Sequence, residues 1–235
     1  MRELAFRKDM QEVLYHDIEH SRLSYINNVR SIYSNYPSPL EAVGNKVTKR
    51  FFDVFVSIFL LIFFISWLIP FLIVLIKLET KGPVFFLQKR KKKNGRIFTC
   101  IKLRSMKLND DADIIAAREN DIRITRVGAF LRRYHLDEIP QLFNVLTGDM
   151  SLIGPRPYML TEDAIYETKI TEYQQRYMVK PGITGLAQSY GFFGFTEDMQ
   201  QMDERVMLDL LYIKRWSFSM DIKILLRTLM TIGKK

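Results

Sequence analysis

Two adjacent carboxylates, Asp137 and Glu138, stand just before Pro140 in the run LRRYHLDEIPQLFNVLTGDMSLIGPRP, residues 131–157. Proline is pre-organised for the first position of a helix, so the pair is expected at the mouth of a helix over Pro140 to Leu146. Neighbours on a helix project about 100° apart. The two would therefore not share one proton, and two separate roles fit better: one attacks, the other holds a metal ion. A helix N-terminus favours an ionised carboxylate and an anionic substrate beside it. Arg132 and Arg133 lie just upstream, and Arg156 is fixed between Pro155 and Pro157. Arginine presents a planar fork of donors that matches phosphate. The plainer reading is that Asp137-Glu138 only cap the helix and the arginines are solvated. The residues alone leave both readings open.

Two further segments could touch a ligand. Lys102 and Arg104 fall on one face of an expected strand by alternation; an exposed strand face is the plainer account. Lys180 to Gln188, within VKPGITGLAQ, is a glycine-punctuated turn that could approach a ligand closely. His135 is a candidate base beside the carboxylates, although a lone histidine is more often structural. The phosphate loop of nucleotide hydrolases and the dinucleotide fingerprint are both absent from the sequence. A single cysteine, Cys100, excludes an internal disulfide and a cysteine-based zinc site, and reads as a small buried hydrophobe. The net charge of +9 implies an anionic partner: nucleic acid, anionic lipid headgroups or a phosphorylated substrate.

The elements that must position these groups begin with a polar stretch, residues 1–45, in which Leu14 to Ile32 could form one surface helix ended by Tyr36-Pro37-Ser38-Pro39. It does not resemble a cleaved signal peptide. From Val54 to Ile76 the chain then carries no charge, close to the roughly 20 residues that span a bilayer as a helix. Ser66 and Pro70 interrupt this run, and proline removes a backbone donor, so a bend is expected there. Both flanks are basic: Lys46, Lys49 and Arg50 before, Lys77, Lys81 and Lys89 to Lys93 after. Positive charge marks the cytoplasmic side, so a re-entrant hairpin is expected, with a straight span as the alternative. Beyond it, Val84 to Leu87 and Ile97 to Leu103 predict two strands joined by the basic turn Lys89 to Arg96, around Asn94-Gly95. Residues 110–120 read as a polar helix or loop. Helices are expected over 126–133, 140–146, 160–178, 197–213 and 220–232, the last a basic amphipathic one suited either to a membrane surface or to core packing.

At this point the sequence resembles the bacterial sugar transferases, the monotopic polyprenyl-phosphate phosphoglycosyl transferases. The resemblance runs from about Lys49 to the C-terminus. It is carried in order by KRFFDV, KGPVFFLQKR, NGRIFTCIKLRSMK, ITRVGAFLRRYHLDEIPQLFNVLTGDMSLIGPRP, VKPGITGLAQ and YIKRWSFSMDIKILLRT. It implies that Asp137 attacks the sugar-linked phosphate of a UDP-sugar, that UMP leaves, and that a polyprenyl (undecaprenyl) phosphate then takes the phosphosugar. It implies Mg²⁺ at Glu138, and phosphate binding by Arg132 and Arg156, with Lys102, Arg104, Lys180 and Gln188 as further substrate-binding candidates in the matching motifs. The family's membrane helix commonly breaks at adjacent Ser-Pro; here Trp67 follows Ser66 and the proline comes at Pro70, which sets the bend a turn later.

The expected fold is thus α+β and mostly helical. Residues 1–45 form a polar extension, 46–81 a re-entrant membrane helix, and 82–235 a catalytic domain with a small β-hairpin and amphipathic interfacial helices, on the cytoplasmic face of the bacterial inner membrane. Anionic lipids are expected partners of the basic flanks. Nucleic acid is not, because no aromatic residues are interleaved with Lys89 to Lys93 and lipid explains that run. A homo-oligomer is left open. The rival to an enzyme is a membrane-anchored, non-catalytic scaffold of a glycan assembly complex.

Overall fold

The structure, a computed structural model, describes residues 37–118, 121–196 and 198–231. The surface helix expected within Leu14 to Ile32 lies outside them. The unit described here begins at Ser38. Ser38 caps a short 3₁₀ turn, Pro39–Glu41, and its hydroxyl donates to the Ile213 carbonyl at 2.6 Å.

A long helix follows without interruption from Val43 to Glu79, long and apolar enough to cross a membrane. It consists of α1 (Val43–Leu60), a π-helical turn (Leu61–Ile65) and α2 (Ser66–Glu79). Ser66 and Pro70 therefore do not break the chain; the irregularity lies just ahead of Ser66. Pro70 has no N–H to offer the preceding turn, and the turn widens instead. Within the widened turn side chains also reach carbonyls: Ser66 Oγ donates to that of Ile62 at 2.7 Å, and Trp67 Nε1 to that of Phe63 at 3.2 Å.

One stripe of this helix is docked: Lys49, Asp53, Ser57, Ile65, Leu72 and Ile76 are buried. Four-residue spacing drifts by about 40° per step on an α-helix. The extra residue in the π turn takes back part of that drift and keeps both halves on the protein. The opposite stripe, including Phe51, Phe55, Phe59, Phe63, Trp67 and Phe71, is exposed. Both ends are fastened to the same unit. Lys49 pairs with Asp221 at 2.8 Å, and Arg50 donates to the Val145 and Leu146 carbonyls. At the far end Glu79 accepts from the backbone N–H of Arg126 and Val127, at 2.7 and 2.9 Å.

The expected hairpin forms, with β1 (Phe85–Lys91) antiparallel to β2 (Ile97–Leu103). Its first strand runs to Lys91, longer than the sequence implied. Asn94 and Gly95 take φ of 62° and 69° at the tip, the left-handed pair that suits an Asn-Gly hairpin turn. The free edge of β2 is closed by one side chain. Asn144 Oδ1 accepts from Ile101 N at 3.0 Å, and its Nδ2 donates to the Thr99 carbonyl at 2.8 Å.

Residues 110–118 are turns and loop rather than helix. Then come α3 (Arg126–Arg133), α4 (Gln141–Thr147), β3 (Ser151–Ile153), α5 (Leu160–Lys169), β4 (Gly182–Thr184), α6 (Leu186–Ser189), α7 (Met199–Arg215) and α8 (Phe218–Thr231). The helix expected over 160–178 stops at Lys169. Ile170 turns extended and sinks into the core, and a 3₁₀ turn, Tyr173–Met178, follows. The parallel pair β3–β4 was not anticipated. It brings GPRP against VKPGITG so closely that a Cβ on Gly182 would lie 2.1 Å from Gly154 N. The last helix packs one side into the core: Asp221 and Ile224 are buried, whereas Phe218, Leu226, Leu229 and Met230 are exposed. Asp221 also receives Tyr212 OH at 2.8 Å and Trp216 Nε1 at 3.0 Å.

The main core joins α4, β3, the 3₁₀ turn and α7 through Val145, Ile153, Tyr173, Val206 and Ile213. A second cluster of Leu72, Ile76, Val84, Leu103 and Leu131 ties α2 to the root of the hairpin and to α3. Cys100 is buried.

Candidate active site

Asp137 and Glu138 sit on a 3₁₀ turn, Leu136–Glu138, between α3 and α4. His135 makes the corner with φ 56°, a left-handed conformation uncommon outside glycine and asparagine. Its ring lies 5.2 Å from that of Phe193. Pro140 then caps α4. Ahead of the turn, α3 is seated closely: Thr125 caps it through Gly128 N, and a Cβ on Gly128 would meet the Ser105 carbonyl at 1.9 Å. That approach lets Ser105 Oγ accept from Arg132 Nε at 2.8 Å.

Both carboxylates are buried, with different surroundings. Glu138 is clamped. Arg156 reaches it with both prongs, Nη2 to Oε1 at 2.6 Å and Nη1 to Oε2 at 3.1 Å, and Lys102 Nζ reaches Oε1 at 3.0 Å. Burial pushes the Glu138 pKa up, but the charges of Arg156 and then Lys102 outweigh it and hold the group well below the usual carboxylate range. Asp137 lines a cavity of about 280 Å³, and no hydrogen bond reaches its carboxylate among the described residues. Burial, then the charge of Glu138, lifts its pKa above the usual aspartate value, opposed by Lys102, Arg132 and Arg156. The two carboxylates thus differ: Glu138 is held by cations, whereas Asp137 lines the cavity.

The cavity is strongly basic. Arg90, Lys102, Arg104, Lys107, Arg132 and Arg156 line it, against Asp137 and Glu162. Glu162 is occupied, accepting from Met159 N at the start of α5. Lys102, Arg132 and Arg156 are thus brought together around the dyad. Arg104 also lines the cavity, but its fork is spent on the exit of the membrane helix. It donates to the Thr80 and Lys81 carbonyls and to Thr80 Oγ1, at 2.8–2.9 Å. Lys180 and Gln188 do not line the cavity. Lys180 lies beside Gly148, near Arg50, and burial and then Arg50 push its pKa down. Gln188 is buried and donates to the Ile183 carbonyl. These glycine-rich residues serve the packing of β4 and α6.

Two arginines that the motifs did not single out hold the GPRP loop. Arg90 Nη1 donates to the Pro157 carbonyl at 2.8 Å, while its other nitrogens meet Gln88 Oε1. Arg176 Nη2 donates to the Arg156 carbonyl at 2.5 Å and Nε to Asp209 at 2.8 Å, between the rings of Tyr158 and Tyr173. Both guanidinia are buried. They fix the backbone on either side of the bond from which Arg156 reaches Glu138. No residue near them in sequence signals this, because their acceptors are backbone carbonyls distant along the chain.

Groups of three or more acidic, histidine or cysteine side chains suited to a metal are absent among the described residues. A divalent cation would need substrate oxygens as well, the usual habit of Mg²⁺. Glu138 would have to exchange Arg156 or Lys102 for the cation, since both its oxygens accept from them and it does not line the cavity.

Several proteins of described activity are similar to this chain. A UDP-glucose:undecaprenyl-phosphate glucose-1-phosphate transferase of Klebsiella pneumoniae is 42% identical over 92% of this chain and 46% of its own length. One of the same description from Xanthomonas campestris is 48% identical over 70% of this chain and 34% of its own. The exopolysaccharide production protein PSS of Rhizobium leguminosarum is 42% identical over 79% of this chain and 94% of its own. The chain thus spans a third to a half of the length of the first two. The model of the bacterial sugar transferases matches residues 44–235, which takes in the helix, the hairpin, the dyad and the loop that holds Arg156. This chain belongs to the bacterial sugar transferase family.

Proposed function

We propose that the protein transfers a sugar-1-phosphate from a UDP-sugar to undecaprenyl phosphate or a related polyprenyl phosphate, as the first membrane step in assembling a surface glycan. The observation that carries this reading is an accessible carboxylate, Asp137, in a basic cavity beside an already neutralised partner, Glu138. Several cations and one free anion suit a diphosphate substrate attacked by that anion. An Asp137 oxygen attacks the sugar-bearing phosphorus. The bond from that phosphorus to the bridging oxygen breaks, and UMP leaves with the electron pair. A phosphate oxygen of the lipid then attacks the same phosphorus and releases the Asp137 carboxylate. Arg132 and Arg156 take up charge on the phosphate oxygens, and Lys102 with Arg156 keeps Glu138 ionised.

Mg²⁺, shared between Glu138 and substrate phosphate, would neutralise diphosphate charge. The apolar helix associates the chain with a membrane. We place it in the bacterial inner membrane with both helix ends on the cytoplasmic side, since both are basic and both are fastened to one unit. Anionic lipids are the expected neighbours of those ends.

The test is single-turnover chemistry. Incubated with UDP-glucose and other UDP-sugars without lipid, the enzyme releases UMP up to about one equivalent, and intact mass shows a phosphosugar adduct that Asp137→Asn abolishes. If UMP forms only when polyprenyl phosphate is added and no adduct is trapped, direct transfer replaces this mechanism.

A further inference from the structure

The hairpin carries apolar side chains on both faces. The face turned to the cavity and the core carries Phe86, Gln88, Arg90, Phe98, Cys100 and Lys102, of which Phe98 and Cys100 are buried in the main core. The opposite face carries Phe85, Leu87 and Ile97, which are 41%, 58% and 57% exposed. In the observed register Phe85 opposes Leu103 and Leu87 opposes Ile101 toward the root, the hydrogen-bonded pair Lys89 and Thr99 follows, and Lys91 opposes Ile97 toward the tip, all on one surface. A sheet with one wet face normally keeps its apolar side chains on the core side. Exposed Phe85, Leu87 and Ile97 on the outer side therefore ask for an apolar neighbour there.

What that neighbour is follows from the two ends of the hairpin. At the root, Leu103 clusters with Leu72 and Ile76 of α2. The exposed row therefore begins beside the C-terminal half of the apolar helix. At the tip the chain is basic, and Lys93 and Arg96 make no ion pair among the described residues. Apolar side chains graded into unpaired cations match an anionic bilayer surface, where acyl chains meet phosphates.

We propose that the outer face of β1–β2 is a second membrane-contacting surface, with Phe85, Leu87 and Ile97 at the acyl–headgroup boundary and the basic tip among lipid phosphates. This rests on the reading of Val43–Glu79 as membrane-inserted. It has a consequence for the site. The inner face of the same two strands presents Lys102 to Glu138 at 3.0 Å, so the dyad lies one strand's thickness from the bilayer surface, at the depth of a lipid phosphate.

The two tryptophans make the test selective. Trp67 is exposed on the long helix and Trp216 is buried. The full chain is placed in nanodiscs of anionic phospholipid with plain or brominated acyl chains, and Trp67→Phe supplies the background. In that background Leu87→Trp is expected to lose fluorescence in brominated discs by at least about twofold, as Trp67 does in the unaltered protein. Release of UMP verifies that the variant is intact, and Ile97→Trp repeats the measurement if Leu87→Trp does not fold. Quenching of Trp67 without quenching at Leu87 or Ile97 overturns the proposal and leaves the helix reading standing. Quenching at none of them overturns both. Absence of quenching at Leu87, together with a two-copy particle that Leu87→Asp converts to one copy, gives this face to a second copy of the chain instead.

Discussion

Arg156→Ala separates holding Glu138 from binding substrate. It removes both prongs from Glu138 and leaves Lys102, at 3.0 Å, as the remaining cationic partner. Breaking a buried ion pair costs about 3–5 kcal/mol. Here the arginine side chain is 25% exposed and Lys102 stays, so about 2 kcal/mol is expected. For a domain of this size that lowers the melting midpoint by roughly 4–8 °C. Activity should suffer more. Losing a positioned donor to developing charge costs about 3 kcal/mol, or about 100-fold in UMP release. Arg156→Lys keeps the charge and loses the fork, so it should recover most of the stability yet stay about 10-fold slow. Lys91→Ala is the comparison. Lys91 pairs with Glu167 away from the cavity, and its loss should cost at most about 1 kcal/mol of lipid attraction. Single-turnover UMP release per folded molecule, read beside thermal melts, measures all three. If Arg156→Ala lowers the midpoint but leaves the rate intact, or if Lys91→Ala loses as much rate, the assignment of Arg156 to substrate phosphate is refuted.

The rate of UMP release at low UDP-sugar should rise with pH along a single-proton acid limb above the ordinary aspartate range, because burial and Glu138 lift the Asp137 pKa. In Glu138→Gln the limb should move down; a limb that stays put removes Asp137 as its source. The same shift has a stability sign. A carboxylate with a raised folded pKa holds its proton more tightly when folded, so its contribution is full below the unfolded pKa and lost as pH rises through the folded one. Asp137→Asn should therefore stabilise the protein at neutral pH and have little effect in acid, as denaturation at the two pH values would show. Arg176→Ala breaks its buried pair with Asp209 and should cost about 3–5 kcal/mol in chemical denaturation; a loss under about 1 kcal/mol would contradict its place as a clamp on the Arg156 backbone. Lys46→Cys and Lys81→Cys should both react with an impermeant thiol reagent only in inverted vesicles, and labelling of either in intact cells would show that the helix crosses the membrane.

Much of the site was legible because its parts are close in sequence. Asp137, Glu138 and Arg132 lie within seven residues of one another, and Arg156 is held by flanking prolines, so residue type and spacing pointed to the cluster. Lys102 was reachable through strand alternation. The same reasoning missed what Arg104 does, because alternation fixes a face and not the acceptors that reach it; these turned out to be the Thr80 and Lys81 carbonyls. Lys180 and Gln188 looked ligand-like because glycines surround them. Those glycines answer to the contact of Gly182 with Gly154, a pairing of two three-residue strands too short to leave a periodic signal. The membrane segment was plain from composition, whereas its bend was not. Proline locates a missing donor, but whether the helix breaks or widens depends on carbonyl partners such as the Ser66 hydroxyl and the Trp67 indole. Arg90 and Arg176 left no trace because a main-chain acceptor can be any residue.

The amide of Asn144 has a consequence for assembly. Two strands alone leave two open edges, and an open edge is a template on which another chain can add a strand. By taking the Ile101 N–H and the Thr99 carbonyl, Asn144 acts as a one-residue third strand and withdraws the middle of the β2 edge from that exchange. Growth of the sheet between molecules is blocked on this side at the cost of a single side chain. Any association of this protein with its own kind or with another chain must therefore be built from side-chain surfaces there, and not from main-chain pairing along the middle of β2.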